Sequence, residues 1–364
     1  MSKPKPSKLS PEHIQRKLAQ ILWRASHRMR HRRHLRKHSA SAEAQRYRAG
    51  RDTFVLYRII GNDLPPRHQD GQSRQNIEFI LQNEPPLEDC ETWWVINRIF
   101  DEANRTQLIE LLDRHKQRYI EIPFDWDAYR GVKMDTSLFP TPDFLTSDAH
   151  AALDADAQER AVLAHNRRKN LYIMNNNGAR NTALDHGRNL AKWVLPWDGN
   201  CFLTEDGWRK IRQGVIDSND VPYHLVPMAR VDSNSEYLNE ETAPNATEEP
   251  QIIFHAKSRE RFNDAIPYGR RPKVDLMRRL QSKGPWSFRK NDPWDVPAAE
   301  TCPDAWRFVL SPGWVGRLSS GDVRQEKGRN SAETRMQRRN QAILAAIAMV
   351  DAELEARSTV QSET

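Results

Sequence analysis

The chain has 364 residues, of which 38% are hydrophobic and 29% are charged, and its net charge is +7. The charge is uneven: residues 1–50 hold fourteen Lys or Arg against two acidic residues, so the rest of the chain has a net charge of −5. A mildly acidic body argues against a nucleic-acid-binding core, which would carry a basic face. No apolar run approaches about 18 residues, so no transmembrane helix is expected.

The three cysteines are Cys90, Cys201 and Cys302, which lie far apart and form no Cys-x-x-Cys pair. The first residues show no signal-peptide pattern. Both features predict a protein of the reducing cytoplasm.

Residues 1–50 are predicted to form a basic arm that is partly helical or disordered. Ser10 and Pro11 suit the start of a helix, and the stretch from Arg24 to His38 is almost entirely Arg and His. Three interpretations stay open: a solvated tail, a helix on an anionic membrane surface through residues 11–38, and nucleic-acid contact, which is the least favoured. The second would make the protein peripheral at the membrane.

Residues 51–220 are predicted to form an α/β half. A β-branched and aromatic run predicts a strand over Thr53–Ile60. Helical spacing then alternates with strand-like runs, which predicts helices over 73–83 and 106–115 and strands over 92–97 and 118–123. This strand–helix alternation predicts a mostly parallel sheet with helices on both faces.

Residues 124–170 are rich in Asp and Pro and less regular, and their pattern assigns no particular element. Residues 221–330 are predicted to be the second, acceptor-side half of the same domain, and residues 331–364 a C-terminal helix and tail. The further predicted elements are helices over 175–190, 205–216, 274–281 and 331–356 and strands over 192–196, 223–228 and 251–255.

Asp198, Gly199 and Asn200 follow a predicted buried strand directly. Ligands of open α/β sheets bind at the carboxyl ends of strands, and carboxylate and amide oxygens suit Mg²⁺. Asp198 and Asn200 are therefore predicted to hold Mn²⁺ or Mg²⁺ on a phosphate. The alternative is a plain turn, since all three residue types favour turns.

This ordered series resembles the nucleotide-sugar-binding half of GT-A-fold glycosyltransferases, especially the family-2 group. In those enzymes a helix opening with Arg-Asn, here Arg180-Asn181, precedes a strand that ends in a metal-binding triplet, here Asp198 to Asn200. The resemblance covers about residues 52–285. It implies a Rossmann-type sheet and transfer of a sugar from a nucleoside-diphosphate sugar to a saccharide or lipid-linked acceptor, with the metal stabilising the leaving diphosphate.

The resemblance also implies roles for single residues at two strand or helix ends. Asn97 and Asp101 follow the second strand, where the family binds the base and ribose of the nucleotide. Arg180 and Asn181 are expected at the diphosphate, where Arg offers bidentate donors.

Residues 262–280 match a second frame of the family, with one departure. Pro272 and Lys273 stand where the family has two carboxylates, the second of which is usually taken as the general base. Asp264 and Asp275 are the replacement candidates by their position in the frame. Arg271 and Lys273 belong to a cationic cluster that is predicted to bind a phosphate or an anionic acceptor, or else is a solvated basic face.

Two other functions stay open. A sugar-phosphate or nucleotidyl transferase could use the same phosphate-facing sheet, and the cations at residues 270–273 favour it. A non-catalytic nucleotide- or carbohydrate-binding protein is the third interpretation, because the expected base is missing.

Overall fold

The structure of the protein is a computed structural model. It describes residues 26–231, 233–238, 246–284, 286, 291–297, 299, 301–319 and 331–363. The predicted helix start at Ser10 and Pro11 lies outside the described residues.

The chain alternates helices and strands along most of its length. The strands are β1 (Phe54–Ile60), β2 (Cys90–Asn97), β3 (Arg118–Ile122), β4 (Trp193–Asp198), β5 (Cys201–Phe202), β6 (Tyr223–Arg230), β7 (Glu248–His255), β8 (Phe308–Leu310) and β9 (Val315–Arg317). The helices are α1 (26–39), α2 (Ala42–Arg48), α3 (Gln72–Asn83), α4 (Glu102–Arg114), α5 (Trp126–Arg130), α6 (Asp148–Ala151), α7 (Ala155–His165), α8 (Arg167–Met174), α9 (Asn176–Gly187), α10 (Glu205–Asp217), α11 (Pro272–Arg279) and α12 (Ser331–Glu363).

The predicted α/β class is confirmed, but the mostly parallel sheet is only partly so. The strand order is β3-β2-β1-β4-β7-β6-β9-β5, with β8 beside β6. The neighbours from β3 to β4 are parallel. In contrast, β7 runs antiparallel to both β4 and β6, and β5 runs antiparallel to β9. The sheet as a whole is therefore mixed. Antiparallel neighbours can be joined by a short turn, whereas parallel neighbours need a longer crossover connection.

Residues 124–170, whose elements the sequence left unassigned, hold the helices α5 to α7 and the start of α8. Acidic residues of this stretch act as helix caps. Asp125 accepts hydrogen bonds from the backbone N–H groups of Asp127 and Ala128, and Asp154 accepts one from Ala157. Side-chain oxygens at this position satisfy the unpaired donors of a first helical turn.

A short connection forces the sheet to curl. Asp198 ends β4 and Cys201 begins β5, so at most about 11 Å of extended chain separates their Cα atoms. Four strand-to-strand steps separate β4 from β5 in the sheet, which would span about 19 Å in a flat sheet. The sheet therefore bends back on itself and brings β5 near the end of β4.

The apolar core lies on both faces of the parallel part of the sheet. Val55 and Tyr57 pack on one face with side chains of α9, and Phe54 and Leu56 pack on the other with side chains of α10. Alternate residues of a strand point to opposite faces. The prediction of helices on both faces is therefore confirmed.

Arg58 is a charged residue in the middle of this core. Its guanidinium is paired with Glu84 and donates from Nε to the carbonyl oxygen of Cys201 at 2.9 Å. Both side chains are buried, with 1% and 8% exposure. Burial raises the pKa of Glu84, and the charge of Arg58 opposes this effect. The pair joins β1 to the end of α3 and to β5.

The basic arm is helical over residues 26–39 and packs on the body through histidines. Nε2 of His27, His31 and His38 lies 3.0, 2.8 and 2.8 Å from the carbonyl oxygens of Gln281, Phe308 and Asp220. The arginines between these histidines are exposed: Arg28, Arg30, Arg32, Arg33 and Arg36. None of the helices in the described part of the chain is both long enough and apolar enough to cross a membrane.

Replacing Arg58 by Met is expected to lower the free energy of unfolding by about 3–5 kcal/mol, because Glu84 would stay buried without its partner. Urea unfolding at neutral pH measures the change. The double variant Arg58→Met with Glu84→Gln should recover part of the loss, since it removes the buried charge. Arg118→Met is the matched control, because Arg118 and Glu91 form an exposed pair that contributes about 0–1 kcal/mol. Equal effects of Arg58→Met and Arg118→Met would contradict the assignment.

Candidate functional site

The candidate site is a cavity of about 780 Å³ at the carboxyl ends of β1, β2 and β4. Ile60, Asn97 and Asp198 reach its wall from these three strands, and α12 contributes Arg338 and Arg339. Among the described residues, the lining includes ten Arg or Lys side chains and five Asp or Glu side chains. Two of the cations, Arg160 and Arg270, are paired with Asp292 and Asp295, which are not among these lining residues. The cavity therefore carries an excess of positive charge, although the body as a whole is mildly acidic.

Asp198 is the centre of an ion cluster on the cavity wall. Its Oδ1 accepts from Arg180 Nη2 at 2.5 Å. Its Oδ2 accepts from Lys273 Nζ at 3.0 Å and from Gln251 Nε2 at 2.8 Å. These partners come from α9, α11 and β7, so a single carboxylate ties three elements to the end of β4.

The protonation of Asp198 follows from these contacts. Burial acts to raise its pKa, but the charges of Lys273 and Arg180 and the hydrogen bond from Gln251 outweigh burial. The pKa of Asp198 therefore lies well below its ordinary value. The carboxylate stays ionised over the whole physiological range of pH.

The predicted metal ligands do not fit a divalent cation as they stand. Both oxygens of Asp198 already accept from cations. An ion about 2.1 Å from Oδ2 would lie within roughly 5 Å of the Lys273 ammonium, a repulsion of several kcal/mol at an effective dielectric of about 20. No group of three or more His, Cys, Asp or Glu suited to a metal occurs among the described residues. Mn²⁺ or Mg²⁺ stays a prediction that these donors do not support.

Gly199 and Asn200 have structural reasons for their positions. A Cβ on Gly199 would lie 2.4 Å from the carbonyl oxygen of Ile59, so only glycine permits this close approach of β4 to β1. Asn200 donates from Nδ2 to the carbonyl oxygen of Leu318 at 3.3 Å. The turn therefore fixes the path from β4 to β5 as well as lining the cavity.

The two residues predicted at the nucleotide base differ in position. Asn97 lines the cavity but is buried, donating to the carbonyl oxygen of Met174 and accepting from Asn175. It therefore holds the junction of α8 and α9. Asp101 is exposed, is not among the lining residues in the described chain, and caps α4 by accepting from the N–H of Asn104.

Three other candidates lie away from the cavity lining of the described chain. Asn181 donates to and accepts from the backbone of Phe262. Asp264 is exposed. Asp275 is fully buried and paired with Arg278 and Arg279 of the same helix. Neither of the two residues that the family frame suggested as bases, Asp264 and Asp275, is therefore among the described lining residues of the cavity.

The structure brings six of the ten candidates together on one wall: Asn97, Arg180, Asp198, Asn200, Arg271 and Lys273. Sequence reasoning missed the acids Glu248 and Glu249 and the cations Arg317 and Arg339. Glu249 has Oε1 at 3.6 Å from Arg271 Nε, and its carbonyl oxygen lies 3.5 Å from Lys273 Nζ. The sequence signal that could have drawn attention to it is its position two residues before the strand predicted over 251–255.

Comparison of the chain with models of known protein families gave no match, and comparison with curated proteins gave none. The resemblance to GT-A-fold glycosyltransferases therefore stays a prediction. The functional proposal depends on the geometry and the charge of the cavity.

Asp198→Asn is expected to lower the free energy of unfolding at pH 7 by about 2–3 kcal/mol, between the values for exposed and buried pairs. The difference from wild type should shrink as the pH falls below the ordinary value of 3.8, because the carboxyl of the unfolded wild-type chain then binds a proton while the native carboxylate, with its lowered pKa, is still ionised. Urea unfolding across this range measures both effects.

The matched control is Asp206→Asn. Asp206 pairs with Arg209 and Lys210 on the surface and should contribute less than about 1 kcal/mol. A difference between wild type and Asp198→Asn that is the same at pH 7 and pH 3 would contradict the assigned ionisation.

Proposed function

We propose that the protein is a glycosyltransferase that transfers a sugar from a nucleoside-diphosphate sugar to a saccharide or lipid-linked acceptor. The observation that carries the proposal is the excess of cationic over acidic side chains, ten against five among the described lining residues, in a cavity at the carboxyl ends of parallel strands. A diphosphate is the anionic group that such strand ends commonly bind. The volume of about 780 Å³ lies in the range of pockets for drug-sized ligands, about 300–1,000 Å³.

In the proposed reaction, the acceptor hydroxyl oxygen forms a bond to the anomeric carbon of the donor sugar. The bond between this carbon and the diphosphate oxygen breaks, and the diphosphate leaves with the electron pair. Negative charge grows on the leaving oxygen, so fixed cations around it lower the barrier. Arg180, Arg271 and Lys273 are the cations assigned to this task.

The proton of the acceptor hydroxyl needs a base within hydrogen-bond reach. We assign this role to Glu249 in place of Asp264 and Asp275, because Glu249 lines the cavity and lies next to the cations Arg271 and Lys273. A carboxylate beside the leaving group can accept this proton as the sugar is transferred.

The second candidate is a sugar-phosphate or nucleotidyl transferase. The same cationic excess favours it, because its substrates carry more phosphate charge. The two functions differ in product: sugar transfer releases a nucleoside diphosphate, whereas nucleotidyl transfer from a nucleoside triphosphate releases pyrophosphate.

Glu249→Gln is expected to slow release of nucleoside diphosphate from a nucleotide sugar by about 10²–10⁴-fold. Donor affinity should change by less than about threefold, since the general base acts mainly on the reacting proton. Incubation of the full chain with a panel of nucleotide sugars, with product detection by chromatography, measures turnover.

The control is Glu353→Gln, which should leave turnover unchanged, because Glu353 forms an exposed pair with Arg357 on α12. If Glu249→Gln turns over nucleotide sugars at the wild-type rate, Glu249 is not the general base. Release of pyrophosphate from a nucleoside triphosphate, without sugar transfer, would favour the second function.

We further propose that α1 contacts an anionic membrane surface, which would bring a lipid-linked acceptor to the protein. Arg28, Arg32 and Arg36 recur every four residues and are exposed, while the histidines of the same helix contact the body. Cations near an anionic leaflet each contribute about 1 kcal/mol.

Replacing Arg28, Arg32 and Arg36 by Gln together should weaken binding to phosphatidylglycerol vesicles by roughly 100-fold, as three such contributions imply. Vesicle sedimentation of the full chain measures the effect, with phosphatidylcholine vesicles as the uncharged control. Binding that is equal for the two lipids, or equal for wild type and the triple variant, would contradict the proposal.

A further inference from the structure

We infer that Lys273 and Arg180, both anchored by Asp198, take the place of a divalent cation, so that the cavity binds a diphosphate without metal. This inference rests on the proposed function for one point, that the ligand is a nucleoside-diphosphate sugar. The positions of the two cations are given by the contacts of the described residues.

The ammonium of Lys273 lies where a metal on the strand-end carboxylate would lie. Its Nζ is 3.0 Å from Asp198 Oδ2, and Arg180 Nη2 is 2.5 Å from Oδ1. The two cations thus divide the two oxygens of one acid. A metal ion could bind Asp198 only if it displaced one of these two cationic side chains or lay close to both of them.

Both cations are held in place before any ligand arrives. The side chains of Lys273 and Arg180 are only 5% and 7% exposed. Arg180 also donates from Nη1 to Oδ1 of Asn177 at 2.8 Å. Cations that are fixed in advance need no reorganisation when charge develops on a ligand, which is the condition for strong electrostatic stabilisation.

Some N–H donors of the two cations are not used by these contacts, although Nε of Arg180 is itself buried. An ammonium has three N–H donors and a guanidinium has five. Lys273 uses two of its donors for Asp198 and the carbonyl oxygen of Glu249. Arg180 uses two for Asp198 and Asn177. Phosphate oxygens form short, charge-assisted hydrogen bonds with donors of this kind.

The local charge also favours an anion over a metal ion. Asp198 neutralises one of its two cationic partners, so this group of three keeps one positive charge. Arg271 and Arg317 also line the cavity but are paired with Glu249 and Glu248, and the described lining as a whole has a cationic excess. A diphosphate relieves this repulsion, whereas a divalent cation increases it.

The first experiment uses the wild-type full chain and inorganic pyrophosphate as the probe. We expect titration calorimetry to show binding in the presence of EDTA, with an affinity that Mn²⁺ or Mg²⁺ changes by less than about threefold beyond the effect of forming the metal complex in solution. Binding that occurs only when Mn²⁺ or Mg²⁺ is added would overturn the inference. No variant is involved, so the outcome does not depend on a mutant that folds.

The second experiment tests the ammonium itself. Lys273→Met should weaken pyrophosphate binding in EDTA by roughly tenfold or more, the effect of losing a charged hydrogen bond, and Lys273→Arg should keep most of the affinity. Lys210→Met is the matched control, since Lys210 is a surface residue paired with Asp206. Unchanged affinity in a folded Lys273→Met protein would overturn the inference.

A third measurement separates a ligand-binding role of Lys273 from a merely structural one. In Lys273→Met, Oδ2 of Asp198 no longer contacts the ammonium of residue 273 and can bind a metal ion. Added Mn²⁺ should therefore strengthen pyrophosphate binding by this variant and not by wild type. If Mn²⁺ has no effect on binding by either protein, the ammonium does not take the place of a metal ion.

The inference and the proposed function can fail separately. If pyrophosphate binds in EDTA but no nucleotide sugar is bound or turned over, the metal-free site stands and the glycosyltransferase proposal fails. If nucleotide sugars are turned over only with Mn²⁺, the glycosyltransferase proposal stands and the metal-free site fails.

Discussion

The two-residue connection between β4 and β5 is the constraint on which the rest of the molecule depends. Because Gly199 and Asn200 cannot span the distance that separates β4 from β5 in a flat sheet, β5 must be brought back toward the end of β4. The bend gives Arg58 its buried partners on both sides, since its Nε contacts the carbonyl oxygen of Cys201. It also turns the carboxyl ends of the parallel strands toward β9, and so provides one wall of the cavity.

The sequence predicts those parts of the fold that local burial determines. β1, apart from Arg58, and β4, apart from its last residue Asp198, are apolar, as expected of strands whose two faces are both covered by helices, so their positions are readable from composition. Strand direction is different, because it depends on which distant strand becomes the neighbour. The antiparallel entry of β7 between β4 and β6 leaves no mark in its own residues, so the mixed sheet could not be predicted.

In the candidate site, too, some features can be predicted from the sequence and others cannot. Asp198 is identifiable from sequence because it lies at the end of a buried strand, and it lines the cavity. Its pairing with Lys273 and Gln251 is not, because these residues lie more than fifty residues further along the chain. Asp275 shows the reverse error: its position in a motif frame suggested chemistry, whereas its contacts with Arg278 and Arg279 give it a structural role inside α11.

The ion cluster at Asp198 links the stability of the fold to the charge of its ligand. Bringing Arg180 and Lys273 to one carboxylate costs free energy through their mutual repulsion, and Asp198 offsets only part of it. The same repulsion gives an arriving anion an advantage that no single contact would provide. Because Asp198 is also the last residue of β4, any change that loosens its partners alters the path to β5, so binding and folding at this strand end depend on the same few atoms.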